Sequence, residues 1–487
     1  MRTLPIPKAA SESFRFSWIW PSLAGGGGVV ILLAVYFSFD FMDVVCAGML
    51  SLFILLSAAL AFQLLQWKPQ LIWSPLPWFL LASATYFGFG PLIYFFGNDD
   101  AKSYCERVWP VTRNHLFLVS WLNILSTALV VAVWWWRVRK AFQLPFRSAR
   151  LDSGSAAKMV LLFYGIGLPA KLVSLAFEYG LLGFTAPGVL NWVAQLSSGG
   201  LLLLTLTTLR NGAGWWWLWG VMMLFEITAA ILTFSKTSII FALLPCLFGY
   251  FLYRPVRMRS FFWSLILLGT VYLISSPFIG YIREQRVQSN AIGDRYDLAK
   301  SYLKAKDESV LQRNPQSWWI RLNYANNQTF AMKEYDEGNP GPSLKLVLIA
   351  PIPRVLWPGK PQLDAGKAFY QSLTGHEGAS FGIGLFAEAY WNGGWLFVIV
   401  CSLAVGWLFG SITSSILKGL SSGNLWMLPI ALIWIRGGTR ADGWFYTDVA
   451  GPAVFTLLYI LLLRFFRPEE MGGVQNSVNL LEARRAG

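Results

Sequence analysis

The side chains that could do chemistry in this sequence fall into two sets, a small group of bases near residue 380 and a larger scatter of cations. His376 and Glu377 are adjacent, and Glu388 follows twelve residues on. Each could take a proton from a poorly acidic hydroxyl, the imidazole because it is largely neutral near neutral pH. Plainer roles stay open. A loop histidine can simply be exposed, and Glu388 can either become the base through burial or hold an arginine. The chain has 2 histidines in all, and the other, His115, begins an apolar run.

The cations come in short constellations. Ser235-Lys236-Thr237-Ser238 opens an apolar helix, where free backbone N–H groups and the dipole favour an anion. Capping by Ser235 with Lys236 snorkelling to the interface is the alternative. Arg283 and Arg286 are three apart and share a face if their helix continues. Arg436 and Arg440 bracket Gly437-Gly438-Thr439. Prolines and glycines stiffen IAPIPRVLWPGKPQLDAGKAFY, residues 349 to 370, which displays Arg354, Lys360 and Lys367. Singly, each pair reads as interfacial anchoring. Together they suit a multiply charged anion such as a diphosphate.

Metal and cofactor chemistry are not expected. There is no Asp-x-Asp, and Glu334-Tyr335-Asp336-Glu337 reads as a solvated acidic turn. No Walker loop or G-x-G-x-x-G is present to carry a nucleotide. Cys46, Cys246 and Cys401 fall inside apolar runs and Cys105 in a loop, which leaves no disulfide framework.

The elements that must position these groups are membrane helices. Of 487 residues 55% are hydrophobic and 13% charged, about half the charge of a water-soluble domain. The apolar runs are continuous, which predicts helices of roughly 20 residues rather than the alternating strands of a barrel. The fold class is therefore all-α, with about twelve spans: near 23 to 39, 44 to 66, 73 to 97, 114 to 136, 159 to 180, 187 to 209, 214 to 234, 236 to 253, 260 to 280, 392 to 414, 423 to 437 and 444 to 466. Arg2, Lys8 and Arg15 lead into the first run without a small-residue cleavage site, so that run is expected to stay as an anchor. Arg137, Arg139, Lys140, Arg147, Arg150 and Lys158 mark the loop after the fourth span as cytoplasmic. Parity then puts Arg254, Arg257, Arg259, Lys418, Arg464 and both termini inside.

The chain divides into a membrane domain at 1–280, a large outer loop with short helices and a membrane re-entry at 281–391, a second membrane domain at 392–466, and a cytoplasmic tail at 467–487. The outer loop is rich in Trp, Tyr, Arg and Asn, a composition suited to sugars and equally to an ordinary folded loop. Lys171 and Glu226 fall deep inside spans, possible partners for each other and a feature of transporters. The excess of 39 Lys and Arg over 25 Asp and Glu reflects cytoplasmic loops and phosphate ligands rather than nucleic acid.

The whole pattern resembles the bacterial O-antigen and oligosaccharide repeat-unit polymerases, which are related to the O-antigen ligases. The residues that carry the resemblance are I-P-R-x-x-W-P-x-K-P from Ile352 to Pro361 and G-H…F-G…E-x-Y-x-N-x-G from Gly375 to Gly394. Lys236 departs from the Ser-Arg that such proteins often carry, and lacks the arginine's bidentate fork. The resemblance implies a metal-independent glycosyltransferase of the inner membrane, active on the periplasmic side. His376, Glu377 and Glu388 would be catalytic, with Lys236, Arg283, Arg286, Arg354, Lys360, Arg436 and Arg440 on the diphosphate. It would need no cofactor. Its partners would be undecaprenyl-diphosphate-linked oligosaccharide and membrane lipids, with a chain-length regulator and a flippase of the same pathway. A ligase-like transferase and a lipid-linked oligosaccharide flippase or transporter are the alternatives.

Overall fold

The computed structural model describes residues 40–139, 141–143, 153–178, 181, 188–233, 236–254, 256–284, 300–301, 316–349, 352, 357, 365–375 and 380–466. Among them there is no strand. Fifteen helices organise the description: α1 Phe41–Trp67, α2 Pro75–Phe96, α3 Asp99–Val108, α4 Arg113–Val138, α5 Ser153–Glu178, α6 Leu196–Asn211, α7 Trp216–Leu232, α8 Lys236–Tyr253, α9 Met258–Glu284, α10 Ala325–Asp336, α11 Ser343–Ile349, α12 Ala365–Thr374, α13 Leu385–Ser421, α14 Leu428–Thr439 and α15 Ala450–Phe466. Among the described residues eight stretches are long and apolar enough to cross a membrane, and three shorter apolar helices stand at Trp216–Ile231, Thr237–Tyr253 and Leu425–Thr439. The fold is that of a helical, membrane-embedded protein. The expected first span, 23 to 39, lies outside the described residues.

Small residues explain the tightest packing. Lipid gives helices no hydrophobic reason to associate, so they associate where small side chains let backbones close in. On α13 Gly406 and Gly410 face α4; a Cβ on Gly406 would lie 2.7 Å from the Val130 carbonyl oxygen. Along the same seam the Trp134 indole donates to Thr413 Oγ1 at 3.1 Å and Arg137 Nε to Ser411 Oγ at 3.1 Å. Residue numbers rise together on both helices, so α4 and α13 run parallel. The even positions expected for these two spans require that direction.

A second seam joins α5, α6 and α8. Gly167 on α5 and Gly249 on α8 lie against the backbones of Leu196–Ser197 and Leu202. Across it Lys171 and Glu226 pair directly, and Ser197 Oγ donates to Glu226 Oε1 at 3.0 Å. The pairing expected of these two intramembrane charges is found, and it ties α5, α6 and α7 together.

Two helices are interrupted. In α2 a π-turn, Ala84–Phe89, leaves the Phe89 carbonyl to the Trp319 indole, which donates at 2.8 Å. In α13 Gly394 is left-handed at φ 62°. The chain reverses there. Phe386 and Phe409 both pack on Phe79, at ring separations of 6.1 and 5.8 Å, so their rings are within about 12 Å of each other. Twenty-three residues of straight helix would separate them by about 34 Å. Leu385–Asn392 is therefore a limb folded back alongside the rest of α13.

Candidate functional site

The limb carries Glu388 into the interior of the bundle, where it has 0% exposure. Its Oε2 accepts the Phe445 backbone N–H at 2.6 Å; its Oε1 has no partner in hydrogen-bond range among the described residues, although the Ser343 side chain stands close enough to act on the carboxylate. The chain before the limb is pinned to the segment after α14 by backbone bonds: Gly384 N donates to Asp442 O and Leu385 N to Ala441 O, both at 3.1 Å. Gly384 takes φ 84°, which frees its N–H for that contact. Trp444 closes the clamp by donating its indole N–H to Phe381 O at 2.9 Å.

That clamp brings a charged cluster together. Arg440 Nε stands 3.7 Å from Asp442 Oδ1 and 3.6 Å from Asp448 Oδ1. These separations are charge contacts and too long for hydrogen bonds. Arg440 Nε and Asp442 Oδ1 accordingly have no hydrogen-bond partner among the described residues though both atoms are buried. Asp442 Oδ2 accepts from the Tyr324 hydroxyl at 2.7 Å, while Asp448 Oδ2 accepts from Trp444 N and Thr447 Oγ1 at 3.0 and 2.8 Å. Burial, and then neighbouring Asp442, push the Tyr324 hydroxyl well above its usual range, so it remains a donor.

Arg436 differs from Arg440. Its Nη1 donates to Gln195 Oε1 at 3.1 Å and its guanidinium lies 4.8 Å over the Phe241 ring, with no carboxylate in ion-pair range among the described residues. A cleft of about 30 Å³, roughly the space of one water, opens beside it against Ser198, Leu432 and Pro429. An arginine cannot shed its proton to escape such a place, so beyond the longer-range attraction of Asp448 this charge is open to a ligand or a water. Phe241 sits on α8, the helix that begins at Lys236, and so ties that helix to Arg436.

Both arginines were expected at the outer end of a full span. In the fold α14 has 12 residues, about 18 Å, against a hydrocarbon core of about 30 Å. It ends with Gly438 against the Pro75 backbone at the start of α2.

The other residues singled out in the sequence divide as follows. Lys236 opens α8 and Arg283 lies in the last turn of α9, the side chains of both outside the described residues. Arg286, Arg354, Lys360, His376 and Glu377 also lie outside them. Cys105 is 3% exposed on α3, and burial raises its thiol pKa, which makes it inert packing rather than an accessible loop cysteine. Glu334 to Asp336 are helical instead of forming a turn, and Asp336 Oδ1 accepts the Tyr390 hydroxyl at 2.9 Å. His115 caps α4: Thr112 Oγ1 accepts its N–H and its Nδ1 accepts the Thr112 N–H, each at 3.3 Å.

Sequence reading missed the supporting wedge. Asn326, Asn327 and Gln328 on α10 are all buried. Asn326 bonds Tyr94 OH and the carbonyls of Cys105 and Trp109, Asn327 donates to Gly382 O at 2.8 Å, and Gln328 pairs reciprocally with Asn123 at 3.1 Å. The signal was three consecutive amides in an aromatic setting, Tyr324-Ala325-Asn326-Asn327-Gln328-Thr329-Phe330.

Comparison with protein-family models, with curated proteins and with solved structures finds no match.

Proposed function

We propose that the protein is a metal-independent glycosyltransferase that lengthens undecaprenyl-diphosphate-linked oligosaccharide by joining repeat units, as in O-antigen or exopolysaccharide synthesis. In this reading it crosses the bacterial inner membrane about twelve times and works on the periplasmic side, where residues 281–391 form the large loop. The observation that carries the proposal is the placing of a buried carboxylate, Glu388, on a limb clamped to the segment that bears Arg440, with Arg436, which has no ion-pair partner among the described residues, one turn before it.

The arrangement suits one reaction. An acceptor sugar hydroxyl attacks the anomeric carbon of the donor glycan; its proton passes to Glu388 or to His376. The bond from that carbon to the diphosphate oxygen breaks, and undecaprenyl diphosphate leaves with the electron pair. Fixed arginines stabilise charge that appears on the diphosphate, which requires no metal. A ligase would use the same donor chemistry on a different acceptor. The Lys171–Glu226 pair, bonded also to Ser197, supports a structural use of those charges over a transport path.

The test is reconstitution with a lipid-linked repeat unit, with and without lipid A. Longer glycans on undecaprenyl diphosphate support the proposal, transfer to lipid A alone makes the protein a ligase, and movement across the bilayer without lengthening makes it a flippase.

A further inference from the structure

Away from the arginines, a second cavity of about 260 Å³ opens between the start of α4 and α10. Its apolar floor is Leu118, Val119 and Met332, and its polar rim is His115, Thr329, Lys333, Asp336 and Glu337. Its volume lies just under the roughly 300 Å³ at which pockets for drug-sized ligands begin. Space for about one sugar ring is what it offers.

One rim group is out of balance. Thr329 lines the cavity and is 2% exposed; its hydroxyl is turned into the protein, where it has no hydrogen-bond partner among the described residues. Leaving a buried hydroxyl unpaired costs about 1–3 kcal/mol, which a ligand hydroxyl would recover once rotation about the Cα–Cβ bond brings the Thr329 hydroxyl to the cavity wall. The rest of the rim matches that ligand. His115 Nδ1 accepts the Thr112 N–H, so the neutral ring carries its proton on Nε2 and presents a donor. Asp336 and Glu337 supply acceptors. Lys333 is already matched, 3.3 Å from Glu337 Oε2 and 4.7 Å over the Trp109 ring.

Charge decides against the other ligands this rim could hold. Two carboxylates face one ammonium, which repels phosphate. Among the described residues no group of three or more His, Cys, Asp and Glu could hold a metal ion. A ligand with hydroxyls to give and accept, an apolar C–H face and no negative charge is required. We infer that this cavity is a binding site for one neutral or amino sugar ring, held by Asp336, Glu337, Thr329 and His115 over Leu118 and Met332. Asp336 also holds the Tyr390 hydroxyl, two residues past Glu388 on the limb. Under the transfer reading, on which this last step rests, the sugar would belong to the acceptor glycan.

The test is saturation-transfer difference NMR on the full chain in lipid nanodiscs, free of sugar-headed detergent, with the methyl glycosides of glucose, galactose, N-acetylglucosamine and glucosamine. At least one should bind saturably. Thr329→Val, which keeps the shape, and Asp336→Asn, which keeps an acceptor for Tyr390, should each weaken binding about tenfold. Lys418→Gln, distant in sequence on α13, should leave binding unchanged, and all three should melt like the parent. The inference is overturned if no glycoside binds saturably, if both rim variants bind as the parent does, or if phosphate or calcium ion displaces the glycoside. Sugar binding without glycan lengthening would overturn the transfer reading and leave this site standing; lengthening without binding here would overturn this site alone.

Discussion

Glu388 Oε2 accepts the Phe445 N–H at 2.6 Å, a bond between the folded-back limb of α13 and the turn that leads into α15. The bond fixes one carboxylate oxygen and leaves the other, which faces the interior, without a hydrogen-bond partner among the described residues. A group held so firmly by one atom and less so at the other is suited to positioned proton transfer.

Glu388→Gln should keep that acceptor and the fold, and lower single-turnover transfer by at least about a hundredfold with little loss of donor affinity. His376→Ala and Glu377→Ala measured beside it assign the base. A collapse confined to Glu388→Gln gives the role to the carboxylate, and a collapse confined to His376→Ala gives it to the imidazole.

The arginines should differ in what replaces them. Arg440→Ala leaves Asp442 and Asp448 facing each other without a cation, so it should cost both stability and transfer. Arg436→Lys removes the planar group stacked on Phe241 and bonded to Gln195, and should weaken donor binding about tenfold or more. Equilibrium binding of the lipid-linked donor to each variant checks both statements. Unchanged affinity in Arg436→Lys would show that this guanidinium only packs.

The reversal in α13 depends on glycine. At φ 62° a Cβ on Gly394 is strained and would lie 2.8 Å from the Tyr335 ring. Gly394→Val should destabilise the protein by about 1–3 kcal/mol and displace the limb, so transfer falls further than the melting temperature would suggest. Thermal melting and turnover on the same preparation separate the two effects.

Glu226→Ala should strand Lys171 inside the membrane and cost about 3 kcal/mol, whereas Lys171→Met combined with Glu226→Leu should recover most of the loss. Transfer by the double variant should approach that of the parent. Stable protein without transfer would instead make the pair functional.

Most spans were legible because hydropathy reports how long an apolar run is. It says nothing of where the run turns. Leu385–Asn392 and Gly394–Ser421 read as one approach to one span, and the glycine pair at Gly393–Gly394 was the sole mark of the fold-back. The apolar run expected at 423 to 437 joins the short lead-in Leu425–Met427 to α14, and hydropathy does not show where one ends and the other begins. The α10 wedge was hidden for another reason. Asn326, Asn327 and Gln328 are polar, and polar residues in a long loop suggest solvent unless their partners are known. Those partners are distant: Asn123 is 205 positions from Gln328, and Tyr94 is 232 from Asn326.

Orientation can be read chemically. Asn339 is exposed at the end of α10, and Ser422 is exposed past α13. Asn339→Cys should react with an impermeant thiol reagent in cells whose outer membrane is permeabilised, and Ser422→Cys should react after lysis only. The reverse pattern would put the site on the cytoplasmic face.

The most direct measurement is the size of the glycan made by purified protein in nanodiscs from a single lipid-linked repeat unit. The parent should convert it to a ladder of glycans on undecaprenyl diphosphate without added metal, and Glu388→Gln or Arg440→Ala, at equal folded protein, should leave the unit unextended. A unit that stays single with the parent protein, or a ladder undiminished in both variants, would contradict the account.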